Sequence, residues 1–251
     1  MEQEIVDFNG QRFNAFSIGP AERDVVILLH GFPQFADVWT GMMHALAAGG
    51  LRAQAFDQRG YSPGAHPLAV EDYDIVHLTS DVLAFADQAG ASRFHLVGHD
   101  WGGFLAWKLA AEHPERVGSL CVLSTPHVDA FLEAARSDVE QQDKSKYIQF
   151  FKMPGGIAES VLLSDGAQRL RSVYQGKLAE EQIEANVRRL SEPGGAYGRS
   201  ELVPRPRSGN EDWQRGRTHT LPMGRPGPGM RKASRDEYCS VRERSLSLRA
   251  S

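Results

Sequence analysis

At 251 residues, 41% of them hydrophobic and 24% charged, the chain is long enough for one sizeable core with an inserted subdomain, and its balance is that of an ordinary globular protein. A formal net charge of −4 gives nucleic acid little to bind, no apolar run reaches the length of about 18 residues that a membrane span needs, and the acidic start Met1-Glu2-Gln3-Glu4 has no apolar signal core. Two cysteines, Cys121 and Cys239, make neither a disulfide framework nor a metal-ligand spacing, which fits a reducing cytoplasm.

Residues 4–18 carry two short strand patterns, read as an antiparallel hairpin. Asp24-Val25-Val26-Ile27-Leu28-Leu29 is a continuous aliphatic run and predicts a strand covered on both faces. Residues 51–56, 93–98 and 120–124 read as its companions. Between them Leu78, Val82, Phe85, Ala86 and Ala89 recur at helical spacing, with Gly90 as the stop, and residues 104–112 form a second helix ended by Pro114. Strand and helix in alternation predict an α/β fold, a mostly parallel sheet with helices on both faces. After Pro126 the alternation ends. Residues 129–192 are helical in pattern, with Ile183, Val187 and Leu190 on one apolar stripe closed by Pro193. The expected organisation is an α/β core over residues 1–127, a helical cap over 128–194 and a basic, unfolded tail over 195–251.

The sharpest motif is Val97-Gly98-His99-Asp100-Trp101-Gly102-Gly103, placed between a strand and a helix. It has the form of a nucleophile elbow, G-x-Nuc-x-G, with Asp100 where a serine often stands. A tight turn exposes the nucleophile at the carboxyl edge of the sheet, and flanking residues without side chains let strand and helix approach. A plain β-α turn holding an aspartate is the bland alternative. A dinucleotide loop is excluded, because Gly98, Gly102 and Gly103 do not make G-x-G-x-x-G. His30-Gly31-Phe32-Pro33 follows the aliphatic strand. Alone it is weak; with an elbow some seventy residues on, it reads as a loop presenting backbone N–H groups to an oxyanion. His30 reads as a packing residue beneath that loop. Asp57-Gln58-Arg59-Gly60-Tyr61-Ser62 reads as a structural turn after the next strand.

These motifs resemble the α/β-hydrolase superfamily, and specifically its epoxide hydrolase and haloalkane dehalogenase branch, which uses an aspartate nucleophile. The resemblance covers roughly three quarters of the chain. It implies Asp100 as nucleophile and the backbone N–H groups of Phe32 and Trp101 as the oxyanion hole, with His30, Gly31, Pro33, Gly98, His99 and Gly102 supporting loop and elbow. Trp101-Gly102-Gly103 after the aspartate departs from the D-R-x-x-R of fluoroacetate dehalogenases. Phe32 departs from the side-chain amide of haloalkane dehalogenases, which leaves halide cleavage as the alternative to epoxide opening. Tyr147-Ile148-Gln149-Phe150-Phe151-Lys152-Met153-Pro154-Gly155 is similar to the epoxide hydrolase cap segment and implies Tyr147 as the proton donor to the epoxide oxygen; a surface tyrosine of an amphipathic helix is the competing role. The resemblance implies a small apolar substrate, epoxide or alkyl halide, and no metal or organic cofactor.

The family also needs an acid after a late strand and a histidine beyond it, and here the sequence breaks. Residues 195–251 hold 12 of the 28 Lys+Arg but 6 of the 32 Asp+Glu, no Ile, no Phe, and Pro204, Pro206, Pro222, Pro226 and Pro228. Such a segment cannot bury enough apolar surface to fold. Its one histidine, His219, follows no strand pattern. Shifting the reading frame by one base from Gly195 changes this. Met223 before any glycine codon forces Trp, and residues 218–227 then permit P-T-L-Y-L-W-G-x-x-D, a strand followed by an acid. Codons 195–205 permit A-L-T-A-A-x-N-W-Y-R-A, similar to the segment that bears a second ring-opening tyrosine. The tail therefore reads as out of frame, with the histidine displaced past residue 251. The chain is expected to lack its general base and its last strands, leaving a sheet edge uncovered and the protein prone to self-association. A second class of function, an inactive fragment or pseudoenzyme, follows from the same break.

Overall fold

The computed structural model describes residues 1–192 except 152, 154–156, 175 and 177, all within one compact unit, Met1–Gly209. The expected tail, residues 195–251, with His219 and the shifted-frame motifs, lies outside the described residues.

Six strands form one sheet in the order β1-β2-β4-β3-β5-β6. They are β1 (Glu2–Phe8), β2 (Gln11–Ile18), β3 (Val25–Leu29), β4 (Arg52–Phe56), β5 (Phe94–His99) and β6 (Val117–Leu123). β1 pairs antiparallel with β2, as the hairpin reading requires, and β2 pairs antiparallel with β4; β4, β3, β5 and β6 run parallel. The aliphatic run of β3 has its cause in this order. Val25, Ile27 and Leu29 enter one core with Phe13, Phe56 and Phe85, while Val26 and Leu28 enter the opposite core with Trp39 and Met43. A strand covered on both faces has no polar side to alternate with.

Three helices cover the sheet: α1 (Thr40–Ala48), α2 (Ile75–Gln88) and α3 (Trp101–Glu112). Asp74 caps α2 by accepting the His77 N–H at 2.9 Å, and Gly90 follows the helix at φ 70-odd degrees (+72°), the left-handed stop expected there. Arg59 and Asp81, both buried, join the turn after β4 to α2 through two bonds of 2.8 Å. Two sequence boundaries need correction. β6 begins at Val117, three residues earlier than expected, because Val117 and Ser119 pair with Phe94 and His95; ladder hydrogen bonds set the strand there, whereas Gly118 and Ser119 hide it from an apolar pattern. α3 begins at Trp101, directly after Asp100, and not at Phe104.

Beyond β6 the described residues form helices: α4 (Val128–Ser137), α5 (Val139–Lys144), α6 (Lys146–Phe151), α7 (Ile157–Tyr174) and α8 (Glu180–Ser191). α7 is broken by a left-handed turn at Asp165, Gly166 and Ala167. Leu162, Leu170 and Tyr174 of α7 pack with Ile183, Val187 and Leu190 of α8, which places the expected stripe in a core of its own. Among the described residues β6 has one strand neighbour, and Cys121 and Leu123 on it are exposed. No described helix is long and apolar enough to cross a membrane.

Candidate active site

Asp100 stands between β5 and α3 at φ +52°, ψ −121°, a conformation that a residue with a side chain rarely adopts. Its surroundings fix it there. The Asp100 N–H donates to Leu123 O at 3.3 Å, and its carbonyl accepts from Phe104 N–H at 3.0 Å and from the Thr125 hydroxyl at 2.8 Å. The turn is possible only because its neighbours lack side chains. A Cβ on Gly98 would lie 2.4 Å from Gly102 O, and one on Gly102 would lie 2.3 Å from Leu29 O. Gly31 does the same from the facing loop, where a Cβ would meet Asp100 Cβ at 2.4 Å.

The loop after β3 delivers a donor to this carboxylate. Phe32 N–H donates to Asp100 Oδ1 at 3.0 Å, and the Trp101 N–H is a second backbone donor that lowers the pKa of the same carboxylate. Burial raises the Asp100 pKa above the usual carboxylate range; the two N–H bonds and nearby His99 oppose that rise without cancelling it. The site is thus a desolvated carboxylate with two backbone donors already aimed at it.

His30 supports the loop from below. It is fully buried, its Nε2 accepts Gln58 N–H at 3.0 Å, and the Gln58 amide returns a bond of 2.6 Å to His30 O. Burial lowers its pKa to about 3, so it is a neutral packing residue and no acid or base at neutral pH. The peptide bond between Phe32 and Pro33 is cis, and Pro33 O accepts a bond from the Tyr174 hydroxyl.

Tyr147, on α6, is half-exposed. Partial burial raises its phenol pKa, and the charge of Asp100 raises it further, so the hydroxyl lies within the field of that carboxylate. An aromatic bridge joins the two: Tyr147 meets Phe151 edge-on at 6.2 Å between ring centroids, and Phe151 meets Phe32 edge-on at 5.0 Å. Lys152, Pro154 and Gly155 of the expected cap motif lie outside the described residues.

Two groups near the site, Thr125 and Arg189, were not singled out by motif, and a third, Tyr61, was read only as part of a structural turn. Thr125 holds the Asp100 carbonyl, two residues past β6, where nothing in the sequence marks it. Tyr61 stacks edge-on against His30 at 4.6 Å, and its phenol pKa is pushed up by burial and by Asp100. Arg189 reaches from α8 to Asp57 and Asp37; an arginine on a helix face looks like solvated charge until the fold is known. His77–Asp74, His113–Glu115 and His127–Asp129 are histidine–carboxylate pairs of the described residues, and none of these three is bonded to Asp100.

The family model of the α/β hydrolase fold matches residues 24–199. Epoxide hydrolase A of Mycobacterium tuberculosis is 36% identical over 210 residues, covering 81% of this chain and 63% of that protein. Epoxide hydrolase 2 of Caenorhabditis elegans is 30% identical over 204 residues, covering 78% and 57%. Among solved structures, Bacillus megaterium epoxide hydrolase in complex with an inhibitor superposes with a TM-score of 0.70 at 27% identity over 79% of this chain and 69% of that one. Epoxide hydrolase A from Mycobacterium thermoresistibile does so with a TM-score of 0.67 at 25% identity over 86% and 77%. The chain spans about three fifths of the length of the curated relatives it matches.

Proposed function

The chain belongs to the α/β-hydrolase fold family, and on that premise we propose that its site is built to open epoxides through an ester at Asp100. The observation that carries this is the carboxylate on its strained elbow with the Phe32 N–H bonded to it. An Asp100 oxygen attacks one epoxide carbon; a C–O ester bond forms and the ring C–O bond breaks. The departing oxygen takes the Tyr147 proton, which converts a poor alkoxide leaving group into an alcohol. Tyr147 is kept protonated for that task, because its pKa is raised. Hydrolysis of the ester would place negative charge on the former carboxylate oxygen, where the two N–H groups are fixed in advance. Residues 1–127 act as the core that carries nucleophile and donors, and residues 128–194 as the cap that carries Tyr147. The named relatives favour the epoxide over the alkyl halide.

Ester hydrolysis also needs a base to activate water, and no described histidine–carboxylate pair serves Asp100. We therefore expect one alkylation per chain and no turnover. Tyr147→Phe is expected to slow the alkylation by about 10²–10⁴-fold, the usual worth of a positioned acid, with the fold intact by circular dichroism. An unchanged rate would remove Tyr147 from the mechanism.

The out-of-frame reading of the tail has its own test, independent of chemistry. In the shifted frame Asn-Trp requires GAA at Glu201 and CTG at Leu202, and Asp requires GGA at Gly227. Reading those codons, and the shifted frame beyond residue 251 for a Ser-His, decides it. Other codons would make the basic tail a genuine sequence of its own.

A further inference from the structure

The loop that presents the Phe32 N–H is held by the cap as firmly as by the sheet. Its Phe35 is buried, at 1% exposure, inside the apolar cluster made by Leu162, Leu170 and Tyr174 of α7 and Ile183, Val187 and Leu190 of α8. Every other buried member of that cluster comes from the cap helices, so one loop residue completes the cap's own core. Polar contacts close around it. The Tyr174 hydroxyl donates to Pro33 O, one residue after the donor N–H. The Arg189 guanidinium lies 3.5 Å from the centroid of the Phe35 ring. Its two ends reach Asp37 Oδ2 at 3.1 Å and Asp57 Oδ2 at 2.5 Å. Asp57 is fully buried, and its other oxygen accepts the Ala36 N–H at 2.8 Å. Residues 33 to 37 are thus gripped from the core by Asp57 and from the cap by Tyr174, Arg189 and the apolar cluster.

We propose that Arg189 and Tyr174 are positioning residues that couple cap docking to the oxyanion donor: with the cap seated, they fix the loop so that Phe32 N–H points at Asp100. Chemistry and geometry both favour such a role. A planar guanidinium can bond two carboxylates and lie on an aromatic face at once, which a lysine ammonium cannot. Without it Asp37 and the buried Asp57 face each other with no counter-charge, and the loop between them loses its clamp. Asp57 is already short of solvation: burial outweighs the Arg189 attraction and the Ala36 bond, and its pKa is raised to about 6. A donor displaced by about 1 Å costs on the order of 10²-fold in a positioned reaction. The coupling also makes the cap more than a cover. A substrate that pushes the cap from its seat would disturb the donor as well, so the site would be complete only around substrates that let the cap close.

This inference rests on Asp100 being the nucleophile, so the test separates the two. Wild type, Arg189→Met, Arg189→Lys and Tyr174→Phe are compared by amide hydrogen exchange over residues 32–38 and by the rate of Asp100 alkylation with styrene oxide, read by mass spectrometry over a range of concentrations. The expected result is faster exchange in the loop for Arg189→Met and Tyr174→Phe. The limiting alkylation rate should fall by about 10–100-fold, with the half-saturating concentration changed much less. Arg189→Lys should recover little of the loss. Unchanged loop exchange in both folded variants overturns the latch. Faster exchange with an unchanged limiting rate overturns its role in positioning the donor. If wild type takes no label at all, the epoxide reading fails, and exchange alone decides the latch: faster in the variants supports it, unchanged rejects it. Tyr174→Phe removes a single hydroxyl, so it keeps the question open to an answer even if Arg189→Met does not fold.

Discussion

Asp100→Ala is expected to abolish covalent capture of epoxides, by at least about 10⁴-fold, while leaving the protein folded. The loss is expected to be complete in kind, because among the described residues no other carboxylate sits on the elbow and accepts the Phe32 N–H. Stability should change little. The alanine keeps the strained backbone at φ +52°, but it removes a carboxylate that burial makes costly to ionise. Intact-mass measurement after incubation with styrene oxide checks the first part, and thermal unfolding the second. Labelling that persists in Asp100→Ala, or that maps to another peptide in the wild type, would assign the nucleophile elsewhere.

The second large effect is on folding. Gly98→Ala is expected to cost about 3 kcal/mol or more and to lower the melting temperature by about 10 °C. The added Cβ would meet Gly102 O at 2.4 Å and Gly103 Cα at 2.7 Å, and both belong to the first turn of α3. Backbone cannot move aside as a flexible side chain can, so strand and helix must separate at the point that defines the elbow. Gly10→Ala serves as the control. Unlike Gly98, it has a positive φ, +70°, but its Cβ would meet nothing within 4 Å, so it suffers conformational strain without the clash. A melting temperature for Gly98→Ala no lower than that of Gly10→Ala would show that the close approach is not what holds the turn.

Much of this architecture was legible because its causes are local. β3 is aliphatic throughout because both its faces are covered, and the elbow reads as G-x-Asp-x-G because strand and helix meet at backbone distance there. His30 stands between an aliphatic strand and a glycine turn, where a side chain has no water to face, and it is fully buried. What stayed hidden depends on contacts distant in sequence. Thr125 acts on Asp100 from beyond β6, 25 residues away, through one hydroxyl. Arg189 meets Asp57 across a separation of 132 residues. The cap stripe of Ile183, Val187 and Leu190 was visible, but its partner was not, since nothing around Phe35 signals that an aromatic from the core loop completes the cap. The start of β6 was missed because Val117 and Ser119 are held by ladder pairing on either side of a register shift at Gly118, and the side chains of Gly118 and Ser119 say nothing of it.

The most direct test of the proposed Asp100 chemistry is a time course. Purified protein is mixed with excess styrene oxide, and both the mass of the chain and the diol in solution are followed. The expected record is one epoxide mass added per chain, on the peptide that carries Asp100, followed by a plateau with no accumulating diol. Diol that continues to form in proportion to time would contradict this, since it would require a base serving Asp100 that the described residues do not contain.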